Sequence, residues 1–116
     1  TDLVGPVWTD GGVITTAAQA ARFGDGLWAG RILSPATLAT MIDPGGPGRA
    51  EDYGLGTYTL REAGRTWQGH DGDYGGYQSM LFTDRGAHLT LAVLANSDEG
   101  DVADVFAALA RVMRPR

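Results

Sequence analysis

The spacing of apolar positions changes twice along this chain, and the changes divide it into three parts. In the first part Ala20, Phe23, Gly24, Leu27 and Trp28 recur at helical spacing, and Phe23, Leu27 and Trp28 read as core. Thr16 and Gln19 stand just before them, where a hydroxyl and an amide three residues apart form a capping box. The pattern predicts a helix from about Thr16 that Gly30 ends. Ser34 followed by Pro35 predicts a second, short helix with Leu38, Met41 and Ile42 on its apolar side. Pro44 to Gly48 holds two prolines and three glycines and reads as a loop.

From Tyr53 the period shortens to that of strands. Tyr53–Leu60 is rich in aromatic and β-branched residues, Ala63-Gly64 suits a turn, and Arg65–Gln68 begins a return strand. Gln78–Thr83 predicts a further strand, joined by Asp84-Arg85-Gly86, with Gly86 left-handed, to the apolar run His88–Ala95. A run so nearly unbroken is normally buried on both faces. Helical spacing returns at the end. Val102, Val105, Phe106, Leu109, Val112 and Met113 make one stripe over about Asp101–Met113, with Ser97 or Asp98 as the cap. The fold class is therefore α+β: two short helices, then an antiparallel sheet of three to four strands with a C-terminal helix packed on it. The first ten residues, with Gly5-Pro6, show little pattern and read as an irregular lead-in.

Between the strands lies the densest chemistry. Gly69-His70-Asp71-Gly72-Asp73-Tyr74-Gly75-Gly76-Tyr77 has four glycines in nine residues and reads as a loop offering backbone N–H groups to a ligand. Of itself His70 in such a turn is a surface residue. A metal site at His70, Asp71 and Asp73 is the competing chemistry, but the second histidine, His88, falls on a strand and no typical ligand set is visible. We expect neither metal nor cofactor. Trp67 and Trp8 read as packing residues, with cleft lining as their alternative role.

Composition narrows the function further. A chain of 116 residues, 43% of them hydrophobic, is at most one domain with a respectable core. The net charge of −5 argues against a nucleic-acid partner. Cysteine is absent, and no apolar run reaches the roughly 18–20 residues of a membrane span. All nine basic residues are arginine, so no Ser–Lys catalytic pair exists in the chain.

Three segments together resemble the serine β-lactamase and penicillin-binding-protein-like hydrolases, in particular their class C-like and esterase-like branch. They are Gly11-Gly12-Val13-Ile14-Thr15-Thr16 with Ala20-Ala21-Arg22-Phe23, then Leu33-Ser34-Pro35, then Tyr53-Gly54-Leu55-Gly56 followed by His70-Asp71-Gly72 and Gly76-Tyr77. The His70-Asp71-Gly72 triplet is similar to the third catalytic element of that superfamily, written K-T-G or H-x-G. The resemblance implies a partial β-lactamase-like fold, with residues 1–116 as a single domain or as the C-terminal part of one. It also implies that the S-x-x-K and Y-x-N elements, absent here, lie upstream, so that this chain alone is inert. By the same resemblance the backbone N–H of Asp73 is an oxyanion donor and His70 donates hydrogen bonds near the nucleophile. Asp71, Gly72 and Tyr74 fall to substrate binding. Asp71 in place of threonine, and His70 in place of lysine, tilt the parent toward an esterase or peptidase. The implied partner is a small-molecule or peptidoglycan-like substrate; such hydrolases are often secreted or periplasmic, but no signal pattern is visible and the compartment of this chain stays open. Self-association through a strand edge is expected. A non-catalytic binding or interaction domain that reuses the fold is the alternative.

Overall fold

The computed structural model describes residues 11–43 and 45–114, so the expected lead-in over residues 1–10, Trp8 and Pro44 lie outside the described residues. The fold is α+β, with helices α1 (Ala17–Trp28) and α2 (Pro35–Ile42), strands β1 (Tyr58–Glu62), β2 (Arg65–Tyr74), β3 (Tyr77–Asp84) and β4 (Leu89–Ala95), and helix α3 (Val102–Val112). The four strands form one antiparallel sheet in the order β1-β2-β3-β4. Both predicted helix starts are present. Thr16 Oγ1 accepts from the Gln19 amide at 3.2 Å while Gln19 Oε1 accepts from the Thr16 amide at 3.3 Å. Ser34 Oγ accepts from the Thr37 amide, with Pro35 at the first helical position.

The core lies between the sheet and α3. Trp67, Met80, Phe82 and Leu91 pack against Val102, Phe106 and Ala110. Phe106 meets Trp67 and Phe82 edge-on at 5.2 and 5.5 Å between ring centres. Burying one such ring contributes about 1.5–3 kcal/mol. The predicted stripe on α3 is corrected here. Val105, Val112 and Met113 are exposed, because the row that meets the sheet is Val102, Phe106 and Ala110, four residues apart. Its cap is Asp101, which accepts from the Ala103 amide, rather than Ser97 or Asp98. On the other face α1 crosses β4 and β3, and a Cβ built on Gly24 would stand 3.0 Å from Thr90 Cγ2 and 3.1 Å from Leu81 Cδ1. This close approach buries Gly24 and Leu27 and leaves Phe23, expected in the core, 54% exposed. The apolar β4 is thus covered on both faces, although Leu94 remains partly open.

Four further expectations are corrected. A 3-10 turn occupies Gly46–Glu51, within the segment read as loop. The strand predicted from Tyr53 begins only at Tyr58; Tyr53 makes one isolated bridge to Tyr58, and the chain folds back between them, the Gly54 amide donating to the Thr57 carbonyl at 2.8 Å. The β3–β4 turn places His88, not Gly86, in the left-handed region, at φ 51°, and the Asp84 carboxylate accepts from the Ala87 amide there. His88 is therefore an exposed turn residue rather than a strand residue. The glycine-rich stretch is a hairpin: β2 runs to Tyr74, Gly75-Gly76 turn at φ 57° and 84°, and β3 starts at Tyr77. Two successive positive φ angles are the two-residue turn whose twist matches that of the flanking strands, which is why glycines sit there.

Candidate functional site

Turn length decides which backbone groups of β2 are free. Tyr74 and Tyr77 flank the Gly75-Gly76 turn, and such a closing pair exchanges hydrogen bonds. Alternation then bonds Gly72 and His70 to β3 and turns the amides and carbonyls of Asp71 and Asp73 the other way. The hairpin at Ala63-Gly64 gives the same result, because Glu62 and Arg65 close it and Arg65, Trp67 and Gly69 face β1. β1 stops at Tyr58, opposite Gly69. Beyond that point, among the described residues, no strand pairs with β2 on this side. The Asp73 amide therefore lies on an open strand edge, on an exposed residue.

A cluster of four side chains stands where this open stretch of β2 begins. Tyr53 Oη lies 2.7 Å from His70 Nε2, and His70 Nδ1 lies 2.5 Å from the Asp71 carbonyl oxygen. Tyr58 Oη donates to Asp71 Oδ1 at 3.0 Å. The Tyr53 and Tyr58 rings meet the imidazole edge-on at 5.5 and 5.4 Å. Burial, then the bond to the Asp71 carboxylate, then the charges of Asp71 and Tyr53, push the Tyr58 phenol well above its ordinary range. Tyr58 thus stays protonated as a donor to Asp71.

Buried polar bonds hold Tyr53 in place. Thr57, 1% exposed, donates from Oγ1 to the Gly69 carbonyl at 3.0 Å and accepts from Gln68 Nε2 at 3.1 Å. Thr59 donates to Gln68 Oε1. At the other end of the segment the Leu55 amide donates to the Met41 carbonyl of α2. The fold-back between Tyr53 and Tyr58 is therefore pinned to β2 and to α2, and Tyr53 falls over His70.

The structure brings together His70, Asp71 and Asp73 along one edge, with Gly72 between them. A Cβ built on Gly72 would stand 2.7 Å from Ser79 Oγ, so glycine keeps this stretch of backbone bare. Tyr74 lies at the hairpin tip opposite Tyr77, both more than half exposed. Trp67 is wholly buried in the core. Sequence reasoning passed over Tyr53 and Tyr58 as site residues, since both looked like strand positions. A spacing of 17 residues between Tyr53 and His70 carries no local signal; only the register of two hairpins brings them together. Among the described residues no three potential metal ligands converge, and no helix is long and apolar enough to cross a membrane.

No curated protein matches the chain. The model of the Beta-lactamase family matches residues 2–113. That span takes in the two helices, the whole sheet with its open edge, and α3, and on it the chain belongs to the Beta-lactamase family.

Proposed function

We propose that this chain is the C-terminal part of a serine hydrolase domain of the class C-like, H-x-G branch. In this reading the domain cleaves an ester, a β-lactam or a peptidyl amide of a small-molecule or peptidoglycan-like substrate through an acyl-serine. The observation that carries it is the Asp73 amide, without a strand partner among the described residues, on the same strand as His70 and three residues beyond it. An acyl-transfer site needs preorganised donors about 3 Å from the developing oxyanion. A backbone N–H on a rigid strand is such a donor, and the nucleophile's own amide would supply a second. Asp71, Gly72 and Tyr74 flank the same edge and would meet the substrate. With no lysine and no Y-x-N triplet, the chain has neither the activated serine nor its helper, and by itself it is inert.

The test uses the protein extended by its upstream reading frame. An S-x-x-K and a Y-x-N are expected there, and the extended protein should hydrolyse a chromogenic ester or β-lactam that the 116-residue chain leaves untouched. Asp73→Pro removes the amide at an outward-facing edge position, where proline is tolerated. It should lower kcat about 10²–10³-fold, the usual loss for one oxyanion donor. Unchanged kcat in a folded Asp73→Pro protein would sink this reading. An extended frame without those motifs would favour a non-catalytic binding or interaction domain that reuses the fold.

The outer side of β4 supports one more proposal. Among the described residues β4 pairs only with β3, and an open apolar strand edge invites pairing with a second copy. We predict concentration-dependent self-association of the 116-residue chain, by strand pairing or exchange of α3. Light scattering that reports a monomer at every concentration would contradict it.

A further inference from the structure

His70 touches protein through both ring nitrogens, and the two contacts are of different kinds. A carbonyl oxygen can only accept, so the Nδ1 atom at the Asp71 carbonyl must carry a hydrogen. In a neutral imidazole the other nitrogen then holds a lone pair, and the Tyr53 hydroxyl must donate to it. Which nitrogen is protonated is set by the bond the other one makes. Here both bonds ask for the same tautomer, the one that a histidine side chain free in water disfavours. Asp71 Oδ1, 3.7 Å from Nδ1, adds a negative charge on the side of the proton. The rings of Tyr53 and Tyr58 fix the imidazole plane from two directions.

We propose that Tyr53 is a positioning residue for His70: with the Asp71 carbonyl it holds the neutral imidazole in the Nδ1–H tautomer, so that no imidazole N–H is left for a ligand. The polar atom that meets a ligand at this point of the edge is then the Tyr53 oxygen, with the imidazole acting through it. This departs from the donor role that the family resemblance implies for His70. The inference stands on the geometry around His70 and does not need the acyl-serine reading. The Asp73→Pro experiment tests that reading, and the tautomer tests this one.

Long-range ¹H–¹⁵N correlation spectra of the 116-residue chain, recorded at high pH after imidazole titration is complete, read the tautomer directly. His88→Asn removes the only other imidazole, and asparagine tolerates the left-handed conformation there. The expected spectrum has a protonated Nδ1 and a bare Nε2. In Tyr53→Phe the populations should move toward Nε2–H, because the acceptor nitrogen loses its donor. Tyr58→Phe removes only the bond to the Asp71 carboxylate and should leave the tautomer as it is. A packing role for Tyr53 would not move these nitrogen signals. Predominant Nε2–H in the otherwise unaltered protein overturns the proposal, and this measurement needs no Tyr53 variant to fold. Tyr53→Phe spectra identical to those with Tyr53 would assign the lock to the Asp71 carbonyl alone and overturn the role of Tyr53.

Discussion

Strand β2 is two strands in one. From Arg65 to Gly69 it is paired with β1, at Gln68 and Gly69 with β3 as well, and Trp67, Gln68 and Gly69 are buried. From His70 to Tyr74 it is paired, among the described residues, only to β3, and every residue but Gly72 is exposed. The backbone conformation is the same throughout. What differs is the point at which β1 stops. In the first half β1 takes up the outward-facing amides of Arg65, Trp67 and Gly69, and the core takes the Trp67 side chain. In the second half the Asp71 and Asp73 amides are on offer, and the side chains have settled into a polar cluster instead of a core. An open strand edge needs no special fold; it needs a neighbour strand that ends early.

Three predictions can break or sharpen this contrast. The largest effect is expected at Trp67, which packs edge-on against Phe106 and donates from Nε1 to the Glu62 carbonyl. Trp67→Ala should cost about 3–5 kcal/mol in urea unfolding, while Tyr74→Ala, seven residues along, should stay within about 0.5 kcal/mol. Similar losses at the two sites would erase the division. Next come two glycines of the same strand. A Cβ on Gly69 would overlap the Leu81 carbonyl and press on Phe82, all held by the sheet. Gly69→Ala should therefore cost about 3 kcal/mol. The Cβ of Gly72→Ala would meet only the Ser79 hydroxyl, the end of a side chain that can rotate, and the loss should be below about 1 kcal/mol.

The smallest effect concerns pH. The Tyr58 phenol is raised in the folded state, chiefly by burial and then by its bond to Asp71. The folded protein thus holds this proton more tightly than the unfolded chain, whose tyrosines titrate near about 10. The stability this contributes is whole below about pH 10 and is lost as pH climbs from there toward the folded value. Tyr58→Phe should make urea midpoints fall less steeply on the alkaline side. An unchanged slope would mean that the phenol is no better shielded folded than unfolded.

Much of this was legible in the residues because local chemistry fixes it. The Thr16–Gln19 capping box, Pro35 behind Ser34, and the order of helices and strands need only neighbours in sequence, and the structure has them. The failures share a cause in tertiary packing. Phe23 looked like core because helical spacing does not say which row the sheet will meet, and Gly24 decided that by letting α1 come close. The glycine-rich stretch looked like a loop because glycine is a poor strand former, yet Gly69 is needed where Leu81 and Phe82 crowd the backbone, and Gly75-Gly76 make the turn. Of the candidate site, the His70-Asp71-Gly72 triplet and the Asp73 that follows it are legible in the sequence through the family resemblance. Tyr53 and Tyr58 are not, because their place depends on where β1 ends and on the buried Thr57–Gln68 bonds.

The two tight turns carry a consequence for tolerance to change. Counting from Ala63-Gly64 and counting from Gly75-Gly76 both assign Asp71 and Asp73 to the outer rim of β2. One residue inserted into either turn would set the two counts at odds, and the odd-numbered and even-numbered amides would compete for the same ladder. Length polymorphism in these hairpins should therefore be rarer among functional descendants of this sequence than side-chain variation along the exposed rim.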